Sequence, residues 1–140
     1  MIDDDMEYKM CQVEDTQQNI LVIDDEIMNI KIVEHMLKDV SNIKVIGAST
    51  KEETFDALEK NEISLIMLDL KMPEIDGFEL YSLIRERYGI PVTIMTSDRS
   101  IETIRKINEL GINDYLTKPL NKFVTKEALY GVINDRNKGL

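Results

Sequence analysis

The stretch Leu65-Ile66-Met67-Leu68-Asp69 decides the fold of this chain, because four apolar residues run directly into a single carboxylate. A short, continuous apolar run is typical of a strand that is buried on both faces, as in a parallel sheet. Charged side chains are almost never fully buried without a partner. Asp69 is therefore expected where the strand leaves the core, either as a cap or turn residue or as part of a polar site.

Composition limits the class of protein to which the chain can belong. Its 140 residues, 43% hydrophobic and 31% charged, suit a single globular domain. The net charge of −10 disfavours direct binding to nucleic acid or to an anionic membrane, because phosphates would be repelled. One cysteine excludes an internal disulfide, and no signal peptide or membrane span is visible. We therefore expect a cytoplasmic protein.

Strand and helix patterns alternate five times along the sequence. Apolar runs predict strands at residues 19–23, 43–48, 64–68, 92–95 and 114–117. Helical patterns follow at residues 27–40, 51–60, 78–88, 101–110 and 121–135. Such alternation predicts a parallel sheet with helices on both faces. Residues 1–18 are acidic and without period, so we expect a flexible N-terminal tail followed by one domain at 19–137.

Local signals predict where some helices begin and end. Asp25 is expected to cap the first helix, and Asp76-Gly77 to turn the chain into the third. Gly111 is expected to end the fourth helix as a C-terminal cap. Helical spacing also predicts an apolar inner face for the first, fourth and fifth helices, with members that include Ile27, Ile101 and Val124.

Polar side chains follow four of the five predicted strands, namely Asp24 and Asp25, Asp69, Thr96, and Lys118. Ligands of open parallel sheets bind outside the carboxyl ends of the strands, so these groups are expected to converge. Three carboxylates in a small space repel one another, and a hard cation such as Mg²⁺ removes that cost. Together with a lysine, such a site can hold a phosphoryl group while a carboxylate oxygen attacks phosphorus.

These residues fall into motifs that resemble a known family: Asp24-Asp25, Asp69-x-x-Met72-Pro73-x-x-Asp76-Gly77, Thr96 and Tyr115-x-x-Lys118-Pro119. The set is similar to the receiver domain of two-component response regulators, over residues 19–135. The resemblance implies an α/β, flavodoxin-like, doubly wound sheet of five parallel strands in the order 2-1-3-4-5, with five helices. It also implies a phosphoacceptor signalling switch that catalyses its own phosphorylation and dephosphorylation, not a dedicated enzyme.

The resemblance implies a role for each member of the acidic group. Asp69 would accept a phosphoryl group from a phosphohistidine on a sensor histidine kinase or phosphotransfer protein. Asp25, Asp69 and the backbone carbonyl of Lys71 would bind Mg²⁺ directly, with Mn²⁺ as an alternative ion. Asp24 would act on the metal through a bound water.

The same resemblance implies how the switch would work. Lys118, before an expected cis peptide bond to Pro119, would pair with one phosphoryl oxygen. Thr96 would hydrogen-bond another, and Tyr115 would turn inward as Thr96 moves. This motion would reshape the surface of the fourth helix, fifth strand and fifth helix, which would control an output partner or domain.

Lys71 and Asp98 carry opposite charges and occupy positions similar to the pair that tunes the phosphorylated lifetime in the family. We hypothesise that the two side chains pair across the mouth of the site. Such a pair would limit the access of water and lengthen the phosphorylated lifetime.

The output and some competing functions stay open. No DNA-binding or catalytic segment is recognisable, and Asp24-Asp25-Glu26-x-x-Asn29 is similar to receivers attached to diguanylate cyclases and hybrid kinases. A homodimer formed on phosphorylation is a further possibility. One alternative function is a docking module that needs no phosphorylation. Another is a phosphohydrolase of the haloacid dehalogenase type, although Lys71 stands where that family needs a second Asp.

Overall fold

A computed structural model describes residues 17–112 and 114–138, without the side chains of 133–138. Most of the predicted N-terminal tail therefore lies outside the described residues. Strands and helices alternate in the order β1 (Gln18–Ile23), α1 (Ile27–Leu37), β2 (Ile43–Ala48), α2 (Lys51–Lys60), β3 (Leu65–Asp69), α3 (Gly77–Arg87), β4 (Val92–Thr96), α4 (Ile101–Glu109), β5 (Asp114–Thr117) and α5 (Lys122–Lys138).

The five strands form one parallel sheet in the order β2-β1-β3-β4-β5, which confirms the expected flavodoxin-like topology. β3 lies at the centre, and all five of its residues are buried. The chain passes from β1 outward to β2 and then back to β3 on the other side. The strand order therefore reverses between β1 and β3, where a ligand crevice is expected.

Helices cover both faces of the sheet. On one face, α1 and α5 pack through residues such as Val33 and Leu129 against Ile20 and Met67. On the other, α2, α3 and α4 contribute a second cluster with β1, β3 and β4. Since successive strand residues point to opposite faces, the apolar run of β3 supplies both clusters at once.

The start of α1 differs from the prediction. Glu26, not Asp25, is the N-terminal cap residue, and it makes no side-chain capping bond. The Glu26 N–H instead donates to Asp24 Oδ1 at 3.0 Å. The expected Asp25 cap was wrong, because the helix begins at Ile27 and Asp25 lies one residue outside the cap position.

Several apolar side chains expected on inner helix faces are exposed. Ile27 is 62% exposed, Ile101 is 73% exposed and Val124 is 47% exposed. All three lie in the first turn of their helices. In a strand-then-helix unit this turn lies near the carboxyl edge of the sheet, so the sheet gives these side chains little to pack against.

The other predicted turns are confirmed. Gly111 has φ +77° and directly follows the C-terminal cap of α4. Asp76 caps α3, since its side chain accepts from the Phe78 N–H at 3.3 Å. Among the helices that the structure describes, none combines the length and apolar character needed to cross a membrane.

Candidate functional site

The strand ends bring the predicted acidic residues together at the carboxyl edge of the sheet. Asp69 is the last residue of β3, and Asp24 directly follows β1. The Asp24 N–H donates to Ala48 O at 3.0 Å, which continues the pairing of β1 with β2. The two aspartates therefore stand on both sides of the position where the strand order reverses.

Three carboxylates form a compact cluster at this edge. One oxygen each from Asp24, Asp25 and Asp69 lies within 4.8 Å of the other two. Asp24 is 0% exposed and Asp69 is 5% exposed, so two of the three charges have little contact with water. Repulsion between such groups is costly unless a cation stands close by.

Lys118 supplies a positive charge to this cluster. Its Nζ donates to Asp24 Oδ2 at 2.7 Å and lies 3.4 Å from Asp69 Oδ1. The Lys118 N–H also donates to Thr96 O at 2.8 Å, which fixes the end of β5 against β4. The expected cis bond between Lys118 and Pro119 is confirmed.

The local electrostatics set the protonation of the site. Burial, with the neighbouring Asp24 charge, raises the pKa of Asp69 to about 6, although Lys118 and the Lys71 N–H act in the opposite direction. Burial of Lys118 works against its charged form, but its hydrogen bond to Asp24 and the charge of Asp69 raise its pKa above the usual value. At neutral pH, Lys118 is therefore charged and Asp69 is mostly ionised.

Thr96 ends β4, is 1% exposed and lies one position beyond the Asp69–Met95 pair of the sheet. Its hydroxyl oxygen accepts from the Asp98 N–H at 2.9 Å. Tyr115, in β5, is 39% exposed and thus faces outward in this structure. Thr96 pairs with Thr117 in the neighbouring strand, whereas Tyr115 pairs with Ile94, so the two side chains lie on adjacent strands two positions apart.

The hypothesised contact between Lys71 and Asp98 is not formed in this structure. The ion pairs present among the described residues do not include it. Instead, Asp98 Oδ1 accepts from the Ser100 N–H at 2.9 Å, and Asp98 Oδ2 accepts from the Thr103 hydroxyl at 2.8 Å. These two bonds and the one to Thr96 are called here the Asp98 network.

Sequence reasoning missed two features of the site. The short contact of Lys118 with Asp24, rather than with Asp69 alone, depends on three-dimensional placement that no motif records. The roles of Ser100 and Thr103 were also missed, although Ser100 carries the local signal of a helix cap. Its hydroxyl accepts from the Thr103 N–H at 3.3 Å.

Comparison with known families agrees with this geometry. The family described as the response regulator receiver domain matches residues 20–130 of this chain. That match covers most of the chain, including every member of the carboxylate cluster, Thr96 and Lys118. The chain belongs to the response regulator receiver domain family.

Curated relatives share about a third of their aligned residues with this chain. The transcriptional regulatory protein YvrH of Bacillus subtilis is 31% identical over 103 residues, which are 74% of this chain and 44% of YvrH. The transcriptional regulatory protein CitT of Halalkalibacterium halodurans is 31% identical over 121 residues, 84% of this chain and 53% of CitT. The chain thus spans about half the length of these relatives.

Solved structures show the same fold over nearly their whole length. A two-component response regulator from Clostridium difficile has a TM-score of 0.80 and 27% identity, covering 86% of this chain and 99% of that one. The chemotaxis protein CheY4 of Vibrio cholerae has a TM-score of 0.76 and 26% identity, covering 84% and 99%. The fold and family are those of a phosphoacceptor signalling switch, and receiver domains of this kind interact with sensor kinases and output domains.

Proposed function

We propose that Asp69 is the phosphoacceptor of this receiver and takes its phosphoryl group from a phosphohistidine on a sensor histidine kinase or phosphotransfer protein. The observation that carries the proposal is the position of Asp69 at the sheet edge, with its carboxylate 3.4 Å from Lys118 Nζ. A cytoplasmic location is part of the same proposal.

The chain's own residues account for the chemistry of transfer. An ionised Asp69 oxygen attacks phosphorus, the P–N bond to the donor histidine breaks, and the bonding electrons leave with the imidazole. Because the pKa of Asp69 is about 6, the carboxylate form prevails at neutral pH. Lys118 then neutralises charge on a phosphoryl oxygen, and its link to Asp24 holds it beside the acceptor.

The carboxylate cluster fits a divalent cation such as Mg²⁺, or Mn²⁺. Its three oxygens are hard ligands at short range, and a cation would stabilise the ionised form of Asp69, whose pKa is raised first by burial and then by the Asp24 charge. We assign Asp25, Asp69 and the Lys71 carbonyl as direct ligands. Both Asp24 oxygens already accept hydrogen bonds, from the Glu26 N–H and from Lys118, which supports an indirect role through water. When bound, the ion would neutralise charge on the phosphoryl oxygens.

The switch is proposed to act through Thr96 and Tyr115. A phosphoryl oxygen is a strong acceptor, so it would draw the Thr96 hydroxyl and leave room for Tyr115 to turn inward. The surface of α4, β5 and α5 would change with them, and this surface would contact the output partner or a second copy of the chain. The curated relatives include transcriptional regulators and a protein-glutamate methylesterase, so we name no single output, and a diguanylate cyclase remains one candidate.

The decisive experiment is incubation with acetyl phosphate and Mg²⁺, read by intact mass. We expect wild-type protein to gain the mass of one phosphoryl group, and Asp69→Asn to gain none. Glu74→Gln removes a carboxylate from the exposed loop after Lys71 and should label like wild type. A wild type without Asp69-dependent label would favour the docking module. Sustained hydrolysis of a phosphomonoester such as p-nitrophenyl phosphate would favour the hydrolase.

A further inference from the structure

The Asp98 network connects the Thr96 hydroxyl to the first turn of α4. Three hydrogen bonds meet at Asp98: its N–H donates to Thr96 Oγ1, and its two carboxylate oxygens accept from Ser100 and Thr103. The donor from Ser100 is a backbone N–H, whereas the donor from Thr103 is a side-chain hydroxyl. Thr103 is therefore the member that substitution can remove without changing the backbone.

The network determines where the Asp98 carboxylate lies. Both of its oxygens are bonded to groups of the helix start, and the ion pairs among the described residues include none between Asp98 and Lys71. The pKa of Asp98 lies below its ordinary value. The largest causes are the hydrogen bonds from the Ser100 N–H and the Thr103 hydroxyl, and the charge of Lys71 makes a smaller contribution. Lys71 and Asp98 each lie two residues past the ends of the neighbouring strands β3 and β4, so both flank the same edge of the sheet.

We infer that Thr103 is a positioning residue that acts through Asp98: its hydroxyl keeps one carboxylate oxygen at the start of α4 and so prevents a Lys71–Asp98 pair beside Asp69. The inference rests on the function proposed above. Without this hydroxyl, Asp98 Oδ2 loses its partner while the attraction of Lys71 remains. The pair then forms, covers the phosphorylated Asp69 and restricts the water that hydrolyses it. Thr103 thereby shortens the lifetime of the phosphorylated state.

The first test compares dephosphorylation rates after labelling with acetyl phosphate and Mg²⁺ and removal of the excess. Thr103→Val keeps the shape of the side chain but removes the donor, and we expect label loss about fivefold slower, which corresponds to the net value of one typical hydrogen bond. Thr103→Ser restores the hydroxyl and should decay like wild type. Ser82→Ala is the matched control, because its hydroxyl donates to Phe78 O in α3, outside the network.

Dependence on Lys71 separates positioning from a general structural effect. In a Lys71→Ala background, adding Thr103→Val should leave the decay rate unchanged, because the partner that Asp98 would reach is gone. A second readout uses unphosphorylated, metal-free protein and the NMR signal of the Asp98 carboxyl carbon. Lys71→Ala should move this signal in Thr103→Val and leave it in place in the wild type.

The outcomes distinguish this inference from the proposed function. If wild type is labelled at Asp69 and Thr103→Val decays at the wild-type rate, the role of Thr103 is overturned and the phosphoacceptor stands. If Thr103→Val slows decay equally with and without Lys71, the positioning role is likewise overturned. If wild type takes no label at Asp69, the proposed function fails and this inference fails with it.

Discussion

Asp69 combines burial with two charged neighbours of opposite sign. The Asp69 side chain is 8% exposed, with Asp24 close by and Lys118 Nζ 3.4 Å away. The net effect raises the pKa of Asp69 from 3.8 to about 6. An ionised Asp69 therefore makes the metal-free fold less stable, which is a common property of groups retained for function rather than for folding.

The first prediction concerns how stability depends on pH in the absence of metal. Between pH 3.8 and about 6, folded Asp69 holds a proton that unfolded Asp69 has lost. The free energy of unfolding should fall as pH rises through this window and stay low above it. The full shift corresponds to at most about 3 kcal/mol. Asp69→Asn should remove this fall and be about 1–3 kcal/mol more stable than wild type at pH 8.

Urea denaturation in EDTA at several pH values between 4 and 8 (about one unit apart) measures this effect. Glu74→Gln, on the exposed loop, serves as the control and should keep the wild-type pH dependence. Equal pH dependence in wild type and Asp69→Asn would show that Asp69 is not destabilised by its surroundings.

At the level of the elements, the start of α3 is fixed by the close approach of the Gly77 backbone to the backbone of Asp69 and Leu70. A Cβ on Gly77 would lie 2.5 Å from Leu70 Cα and 2.7 Å from Asp69 O, both backbone atoms that cannot rotate away. The Gly77 N–H donates to Leu70 O at 3.0 Å, which closes the loop after β3 onto the helix. The position of this loop, and of the Lys71 carbonyl within it, depends on the absence of a side chain at Gly77.

The second prediction is that Gly77→Ala destabilises the protein by about 2 kcal/mol or more, since the backbone must shift to admit the methyl group. Gly131→Ala is the matched substitution within α5, where an added Cβ meets nothing within 4 Å. It should stabilise the protein by up to about 1 kcal/mol, because alanine favours a helix interior more than glycine does. Thermal or urea unfolding measures both, and equal effects would contradict this account.

The interiors of the elements could be predicted because periodicity reports burial directly. The β5 bounds were predicted correctly, whereas the predicted ends of β3 and β4 fell one residue short, at Leu68 and Met95. The missing residues, Asp69 and Thr96, are polar, so a rule based on apolar runs ends before them. First-turn residues such as Ile101 were misplaced because periodicity does not show where the sheet stops.

The members of the site could be predicted, but not all of their contacts. Strand-end position and motif spacing were enough to select Asp24, Asp69 and Lys118. The hydrogen bonds of Asp98 could not be predicted from the sequence. Its charge, opposite to that of Lys71, suggested Lys71 as the partner, whereas in the structure the start of α4 supplies the donors. Preference between two partners depends on distances of a few ångströms, which the sequence does not record.

Over the whole molecule, the net charge of −10 attracts any divalent cation to the surface. Such diffuse attraction is screened by salt, whereas a specific site with several ligands is screened much less. A measured effect of Mg²⁺ on stability therefore has to be separated into these two contributions. The two contributions can be separated by substituting one residue of the carboxylate cluster, because this changes the specific site and hardly changes the overall charge.

The third prediction is that Mg²⁺ raises the melting temperature at constant ionic strength. A free concentration about a hundredfold above the dissociation constant should add about 2.7 kcal/mol to the free energy of unfolding. Asp25→Asn should lose most of this gain, and Glu74→Gln should retain it. Differential scanning fluorimetry, with NaCl balancing the ionic strength, measures the shift. An equal gain in all three proteins would assign the effect to diffuse surface charge.

The bond between Lys118 and Asp24 joins residues 94 positions apart. A chain still emerging from the ribosome would contain Asp24 and Asp69 long before Lys118 was made. Under the proposed role of Lys118, acceptance of a phosphoryl group would wait until synthesis has passed the last strand, and a truncated translation product would be silent rather than wrongly active.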